Sequence, residues 1–133
     1  MIQSLRIMQT VLIISKDWKF RTLLAAQLQE EGCQTFSVED IQDAFQALKA
    51  HQAHTHIIIL DTLQIDLDPA VLDSLHLQSG DIPLLICAGA ADSVDRSKPF
   101  CCFLQRPISI SGIVEQAKKI LHLDKPDSFL YNE

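Results

Sequence analysis

An unbroken apolar run that ends in a single acid is the feature that most constrains this chain. The run is Ile57-Ile-Ile-Leu60, three of its residues are β-branched, and Asp61 follows it directly. Such a run is typical of a strand that is buried on both faces of a parallel sheet. Ligands and chemistry gather at the carboxyl edge of an open α/β sheet, so Asp61 becomes the first candidate for a functional residue.

The rest of the chain repeats this alternation of apolar strands and amphipathic helices. The central strand is predicted at 56–60, and further strands at 11–14, 34–37, 82–87 and 100–104. Helices with apolar residues at 3.6-residue spacing separate the strands, with cap signals at Gly32, Asp40, Asp68 and Ser109. Only a weak helix signal, around 91–96, precedes the last strand. The pattern predicts a three-layer α/β/α sandwich around a five-stranded parallel sheet, with one domain over 10–122, a lead-in at 1–9 and a tail at 123–133.

Composition and charge exclude several classes of protein. The 133 residues carry a net charge of −6 and their basic residues are scattered, which argues against a nucleic-acid partner. No signal peptide pattern and no bilayer-length apolar run is visible, so a cytoplasmic location without membrane contact is expected. The four cysteines show no CxxC spacing and are predicted to be buried, reduced thiols.

Three histidines, His51, His54 and His56, invite a metal-site interpretation. They lie across a predicted helix end and strand start, and no cysteine or carboxylate is spaced to complete a ligand shell. A metal site is therefore not expected at these histidines.

On these elements the chain resembles a response-regulator receiver domain over about residues 10–122. Asp61 matches the family aspartate that accepts a phosphoryl group from a histidine kinase. Arg106-Pro107 matches the lysine–proline pair after the fifth strand, and Phe103 matches the aromatic switch residue of that strand. The resemblance implies a flavodoxin-like strand order, 2-1-3-4-5. Whether the Arg106–Pro107 bond is cis, as it is in the family, is left open.

The departures from the family lie in the active site. Ser15 and Lys16 stand where receivers have two acidic residues, the second of which helps to bind Mg²⁺; a shift of one residue puts Asp17 in that position instead. Ala88 replaces the hydroxyl residue that ends the fourth strand. The stretch 88–99 is shorter than in the family by about four residues, roughly one helical turn. The fold resemblance is strong and the active-site resemblance is weak.

These substitutions predict a site that works without Mg²⁺, and no cofactor is expected. Lys16 repels a divalent cation, so we expect it to occupy the place of the metal and to pair with Asp61. Its removal then costs about 3–5 kcal/mol if the burial is deep. Arg106 can chelate Asp61 or a phosphate. With Lys16 and Arg106 both facing Asp61, a fixed ion-pair cluster and a metal-free anion site are left open. Without a hydroxyl at Ala88, Phe103 is expected to be a packed aromatic without a switch role.

The favoured interpretation is a degenerate, stand-alone receiver, a pseudo-receiver. It is expected to be a non-enzymatic module that binds a histidine kinase or another signalling protein, or dimerises through the face of its fourth helix, fifth strand and fifth helix. One alternative is a phosphorelay receiver that is still phosphorylated on Asp61, with Lys16 and Arg106 replacing the metal. Another is a flavin- or nucleotide-binding protein on the same fold, although no glycine-rich phosphate loop is present.

Overall fold

The computed structural model describes residues 8–51, 54–65, 67–89 and 101–122, and strands and helices alternate along it up to residue 88. The elements are β1 (Thr10–Ile14), α1 (Trp18–Glu30), β2 (Gln34–Val38), α2 (Ile41–His51), β3 (Ile57–Asp61), α3 (Pro69–Ser79), β4 (Leu84–Ala88), β5 (Cys101–Gln105) and α4 (Ile110–Leu121). The weak helix signal at 91–96 and the tail at 123–133 lie outside the described residues, and the predicted domain limits stay a prediction.

All strand pairs in the sheet are parallel, and the strand order is β2-β1-β3-β4-β5. The predicted order is therefore confirmed. The register pairs Leu12 with Ile58 and Ile59 with Leu85, so β1, β3 and β4 lie next to one another in the middle of the sheet. Because these strands run the same way, their carboxyl ends meet at one edge, and Asp61 lies at its centre.

The core has two halves, one on each face of the sheet. Successive strand residues point to opposite faces, so Val11 and Ile13 pack with α1 and α4, while Leu12 and Ile14 pack with α2 and α3. All the residues of β1, β3 and β4 are buried. This double burial explains why their sequences are apolar throughout, and it confirms the three-layer architecture.

The helix caps follow the signals in the sequence. Asp40, Asp68 and Ser109 each accept a hydrogen bond from a backbone N–H three residues later, at 2.9 to 3.0 Å. Gly32 follows α1 with a φ of 92°, in the left-handed region that glycine tolerates best. The caps fix where the helices begin, and so they fix the turns at the carboxyl edge of the sheet.

The thiols agree with the sequence prediction in part. All four cysteines are free, and Cys33 and Cys87 are buried. Cys101 and Cys102 are only half-buried, because β5 is the last strand of the sheet and not a central one. Complete burial was therefore a wrong prediction for these two. Among the helices that the structure describes, none has the length and apolarity that crossing a bilayer requires.

Candidate functional site

The candidate site lies at the carboxyl edge of the sheet and is built from the ends of four strands. Asp61 is the last residue of β3 and Ala88 is the last residue of β4, while Ser15 and Arg106 directly follow β1 and β5. The structure thus brings Ser15 and Arg106 into contact with Asp61 and places Ala88 at the same edge of the sheet. The carboxylate is almost closed off from solvent, with its side chain 4% exposed.

Both carboxylate oxygens of Asp61 accept hydrogen bonds. The hydroxyl of Ser15 donates to Oδ2 at 2.8 Å. Nη1 of Arg106 donates to Oδ1 at 2.8 Å, and the backbone N–H of Leu63 donates to the same oxygen at 3.2 Å. A buried carboxylate needs such partners because burial removes the water molecules that would otherwise donate hydrogen bonds to it. The predicted contact between Arg106 and Asp61 is therefore present.

Ser15 is held so that its hydroxyl hydrogen points at Asp61. The backbone N–H of Asp17 donates to Ser15 Oγ at 3.1 Å, which uses that oxygen as an acceptor. Nη1 of Arg21 donates to the carbonyl oxygen of Ser15 at 2.7 Å, and the N–H of Ser15 donates to Val38 at 3.1 Å. Ser15 itself is fully buried. The turn after β1 is thus fixed by both its backbone and its side chain.

A single nitrogen of Arg106, which follows β5, contacts the ends of β3 and β4. Besides Asp61, its Nη1 lies 2.8 Å from the carbonyl oxygen of Cys87 and 3.3 Å from the hydroxyl oxygen of Thr62. Its backbone N–H donates to the carbonyl oxygen of Ala88 at 2.8 Å, and its bond to Pro107 is cis. The guanidinium therefore forms an ion pair with Asp61, which is one half of the predicted two-cation cluster.

The predicted pairing of Lys16 with Asp61 is wrong. The ammonium of Lys16 lies 3.9 Å from a carboxylate oxygen of Asp40, and both side chains are more than a third exposed. Neighbouring residues of an extended chain point in opposite directions, so when Ser15 faces inward Lys16 faces outward. Arg106, which enters from the far end of the sheet, takes the place next to Asp61 that was assigned to Lys16.

The shifted register that would place Asp17 beside Asp61 is also wrong. Asp17 is the N-cap of α1, and its carboxylate accepts the backbone N–H of Lys19 at 3.0 Å. The side chain therefore lies at the start of the helix, at the surface, while Ser15 contacts Asp61.

The two predicted switch positions lie on the α2 and α3 side of the sheet. Ala88 is fully buried there, and Phe103 is a half-buried side chain that packs against the same core half. Phe103 lies opposite Ile86 in the register of β4 and β5. The packed aromatic was the predicted state of Phe103, and the absence of a switch role stays a prediction.

The two side chains that contact Asp61 supply little of what Mg²⁺ prefers in a site. This cation prefers six oxygen ligands in octahedral geometry, several of them charged or water. Asp61 is met by a neutral hydroxyl and by a guanidinium, which has five N–H donors and no lone pair to give to a metal. Among the residues that the structure describes, no group of three or more His, Cys, Asp and Glu could hold a metal ion. His56 instead accepts the backbone N–H of Thr10 on Nδ1 at 2.9 Å.

The buried thiol beside the site gives a prediction for the dependence of stability on pH. Burial, and then the carboxylate of Asp61, raises the pKa of Cys87 from 9.0 to about 12, while Arg106 opposes the rise. The unfolded thiol thus loses its proton at lower pH than the folded one. Its contribution to stability is fully present below about pH 9 and is lost as the pH rises towards 12.

We therefore expect wild-type stability to fall with rising alkaline pH more steeply than that of Cys87→Ala. The difference in slope between the two proteins reaches at most about 1.4 kcal/mol per pH unit. Urea denaturation of both proteins from about pH 7.5 to about pH 10.5 measures it. Other groups that titrate in this range affect the stability of both proteins alike, so the comparison removes their effect. Parallel pH profiles would contradict the assignment of a raised pKa to Cys87.

Sequence reasoning missed two residues of the site. Thr62 follows Asp61 and donates its hydroxyl hydrogen to the carbonyl oxygen of Cys87 at 3.3 Å, besides its contact with Arg106. Arg21 supports Ser15 from the first turns of α1. The available signal was weak in both cases: a hydroxyl next to the candidate acid, and a basic residue close after the turn.

Comparison with solved structures decides which fold this is. The chain matches the receiver domain of the hybrid histidine kinase CckA with a TM-score of 0.68 and 20% identity, covering 84% of this chain and 98% of that one. A receiver domain protein from Clostridium thermocellum matches with a TM-score of 0.72 and 12% identity, covering 89% and 98%. The chain has the fold of a response-regulator receiver domain. The receiver domain of NtrX from Brucella abortus shares this fold, with a TM-score of 0.68, 24% identity, and 84% and 98% coverage.

Comparison with family models and with curated protein sequences does not identify this fold. No protein-family model matches the chain, and no curated protein sequence matches it either. Because the sequence identities to these receiver domains are below 25%, the similarity shows the fold alone. What the site of this receiver fold does must be argued from its own side chains.

Proposed function

We propose that this chain is a pseudo-receiver: a signalling module on the receiver fold that binds a protein partner and is not phosphorylated on Asp61 in the Mg²⁺-dependent way. The single observation that carries the proposal is that both oxygens of the Asp61 carboxylate are already engaged within the chain, by Ser15 and by Arg106. A carboxylate must present a free lone pair to attack a phosphorus atom. Asp61 accepts three hydrogen bonds on about four lone-pair sites, and each of these bonds lowers the nucleophilicity of the carboxylate.

The charges of the site support the same proposal. A phosphoryl group brings negative charge, and its transfer needs cationic compensation at the acceptor. The cation beside the carboxylate, Arg106, already donates hydrogen bonds to Asp61 and to the carbonyl oxygen of Cys87, both at 2.8 Å. The two N–H groups of Nη1 would have to leave these partners before they could meet a phosphate. The cation that the sequence suggested as a second one, Lys16, is held at Asp40 instead.

The buried surroundings of Asp61 support it further. A phosphoryl group needs space at the carboxylate, yet the side chain of Asp61 is 4% exposed. Ala88 has no hydroxyl with which to hold such a group at the end of β4. The site is therefore suited to hold the strand ends in one arrangement, and the signalling role proposed for the module lies in what its surface binds.

A small phosphodonor tests this proposal directly. We expect no gain in intact mass when the protein is incubated with acetyl phosphate, with or without Mg²⁺, because the carboxylate of Asp61 is buried and both of its oxygens already accept hydrogen bonds. A phosphoryl adduct adds about 80 Da and changes the charge. A receiver protein of known competence, treated in parallel, shows that the donor is active.

An adduct on this chain that disappears in Asp61→Asn would overturn the proposal and favour the phosphorelay alternative. An adduct that survives Asp61→Asn lies at another residue and leaves Asp61 unmodified, as proposed. The flavin- or nucleotide-binding alternative is tested separately, since a purified protein with a visible flavin absorption band would support it.

A further inference from the structure

A continuous groove runs between α2 and α3, on the face of the sheet opposite to α1 and α4. It consists of two adjoining hollows of about 260 and 270 Å³, and Gln42 and Phe45 line both of them. The first hollow extends to Asp68 and the second extends to Lys49. The groove is therefore about as long as α2, which is roughly 12 Å from its first residue to Lys49.

The floor of the groove is apolar and its walls are neutral. Ile41, Phe45 and Val71 are half-buried, so part of their apolar surface stays in contact with water. The walls contain Gln46 and Ser74, which are uncharged and exposed. An apolar strip with a polar border is the usual composition of a surface that associates with another protein.

The two ends of the groove carry opposite charges. Asp68 caps the first turn of α3, and Lys49 lies in the last turn of α2. Both helices run from the carboxyl edge of the sheet to the opposite edge, so these residues lie at opposite ends. Within the ranges that the structure describes, neither Asp68 nor Lys49 forms an ion pair. Each charge is thus available to a partner of opposite sign.

We propose that a second copy of this chain covers the groove, in a two-fold symmetric dimer formed by α2 and α3 of both copies. A two-fold axis through the middle of the groove reverses its direction. Asp68 of each copy then meets Lys49 of the other, and the interface becomes self-complementary. The same rotation makes the helices of the two copies antiparallel, so their dipoles attract. A partner that carries charge of one sign only would satisfy one end and oppose the other.

The expected dimer is weak and depends on protein concentration. Each copy contributes only the exposed faces of two helices of eleven residues, whereas a standard interface uses about 20–30 residues a side. We expect a dissociation constant in the micromolar range or weaker. This inference goes beyond the proposed pseudo-receiver role and does not depend on it, because the groove shares no residue with the Asp61 site.

Sedimentation velocity over a concentration series measures the association. From about 1 μM to about 1 mM, we expect the mass to rise from the 14.9 kDa of the monomer towards twice that value. Lys49→Glu places two like-charge contacts in the dimer and should weaken it by about tenfold or more. Adding Asp68→Asn to Lys49→Glu removes the repulsion but keeps a side-chain oxygen for the helix cap, and it should recover part of the loss.

A matched control uses the same charge change elsewhere. Lys19→Glu lies on α1, on the other face of the sheet, and should leave the dissociation constant unchanged. A second groove variant, Ser74→Arg, adds bulk to the wall and should also weaken the dimer, while thermal unfolding shows that every variant is folded. A protein that stays monomeric at about 1 mM would overturn the proposal. So would equal effects of Lys49→Glu and Lys19→Glu, or a dimer that only substitutions on β5 and α4 disrupt.

Discussion

Replacing Arg106 by methionine should lower the free energy of unfolding by about 3 kcal/mol at neutral pH. The substitution removes the cation from a carboxylate whose side chain is 4% exposed, and it leaves Oδ1 of Asp61 with only the N–H of Leu63. Breaking a buried ion pair from one side typically costs about 3–5 kcal/mol. We expect the lower end, because Arg106 is 26% exposed and water can reach the space that it leaves. Urea denaturation measures the change.

Lys16→Met is the matched control for this prediction. Its ion pair with Asp40 spans 3.9 Å between exposed side chains, so its loss should cost less than about 0.5 kcal/mol. Asp61→Asn combined with Arg106→Met removes both charges, and the double variant should be more stable than the sum of the single effects predicts. Equal losses for Lys16→Met and Arg106→Met would show that the buried pair is not the stabilising contact described here.

Ser15→Asp should be about as destabilising, by roughly 3 kcal/mol in the absence of divalent cations. The new carboxylate replaces a hydroxyl that donates to Asp61 at 2.8 Å, so a hydrogen bond becomes a contact between two buried negative charges. Mg²⁺ should restore part of this loss, because two adjacent carboxylates are oxygen ligands that can share it. The wild-type protein, which lacks such a pair, should show no specific stabilisation by Mg²⁺.

Two controls make this second experiment specific. Ser15→Asn has nearly the same size as Ser15→Asp and carries an amide that can still donate to Asp61, so it should cost much less than the acid. Sodium chloride at the same ionic strength separates screening of the two carboxylates from binding of the cation. A wild-type protein whose midpoint of unfolding rises with Mg²⁺, and not with sodium chloride, would contradict the proposed metal-independent site.

The fold could be predicted from the sequence because burial on both faces leaves an unmistakable pattern. The run Ile57–Leu60 is apolar throughout because every residue of β3 is covered by a helix layer. The amphipathic helices and their caps then fixed the alternation of elements. The half-burial of Cys101 and Cys102 was not predicted. Their short apolar run is typical of a central strand, whereas β5 lies at the end of the sheet.

The site could be predicted only where the chain topology alone determines neighbours. Asp61, Ser15 and Arg106 lie at the carboxyl ends of three strands, and parallel pairing brings such ends together. The error over Lys16 arose because the choice between adjacent residues depends on which of them faces inward, and that choice is made by contacts far along the chain. The N–H of Ser15 bonds to Val38, and its carbonyl oxygen is held by Arg21. No local pattern reveals either contact.

The position of Arg106 also affects the order in which parts of the molecule unfold. β5 is paired with one described neighbour, β4, whereas β3 is enclosed on both sides. A single guanidinium nitrogen, which follows β5, contacts Asp61 of β3 and Cys87 of β4. Detaching the outer strand at this end therefore also exposes the charge at the centre of the sheet. Fraying of β5 should then be coupled to the opening of the interior, so that amide protons near Gln105 and Asp61 exchange with solvent in the same cooperative event.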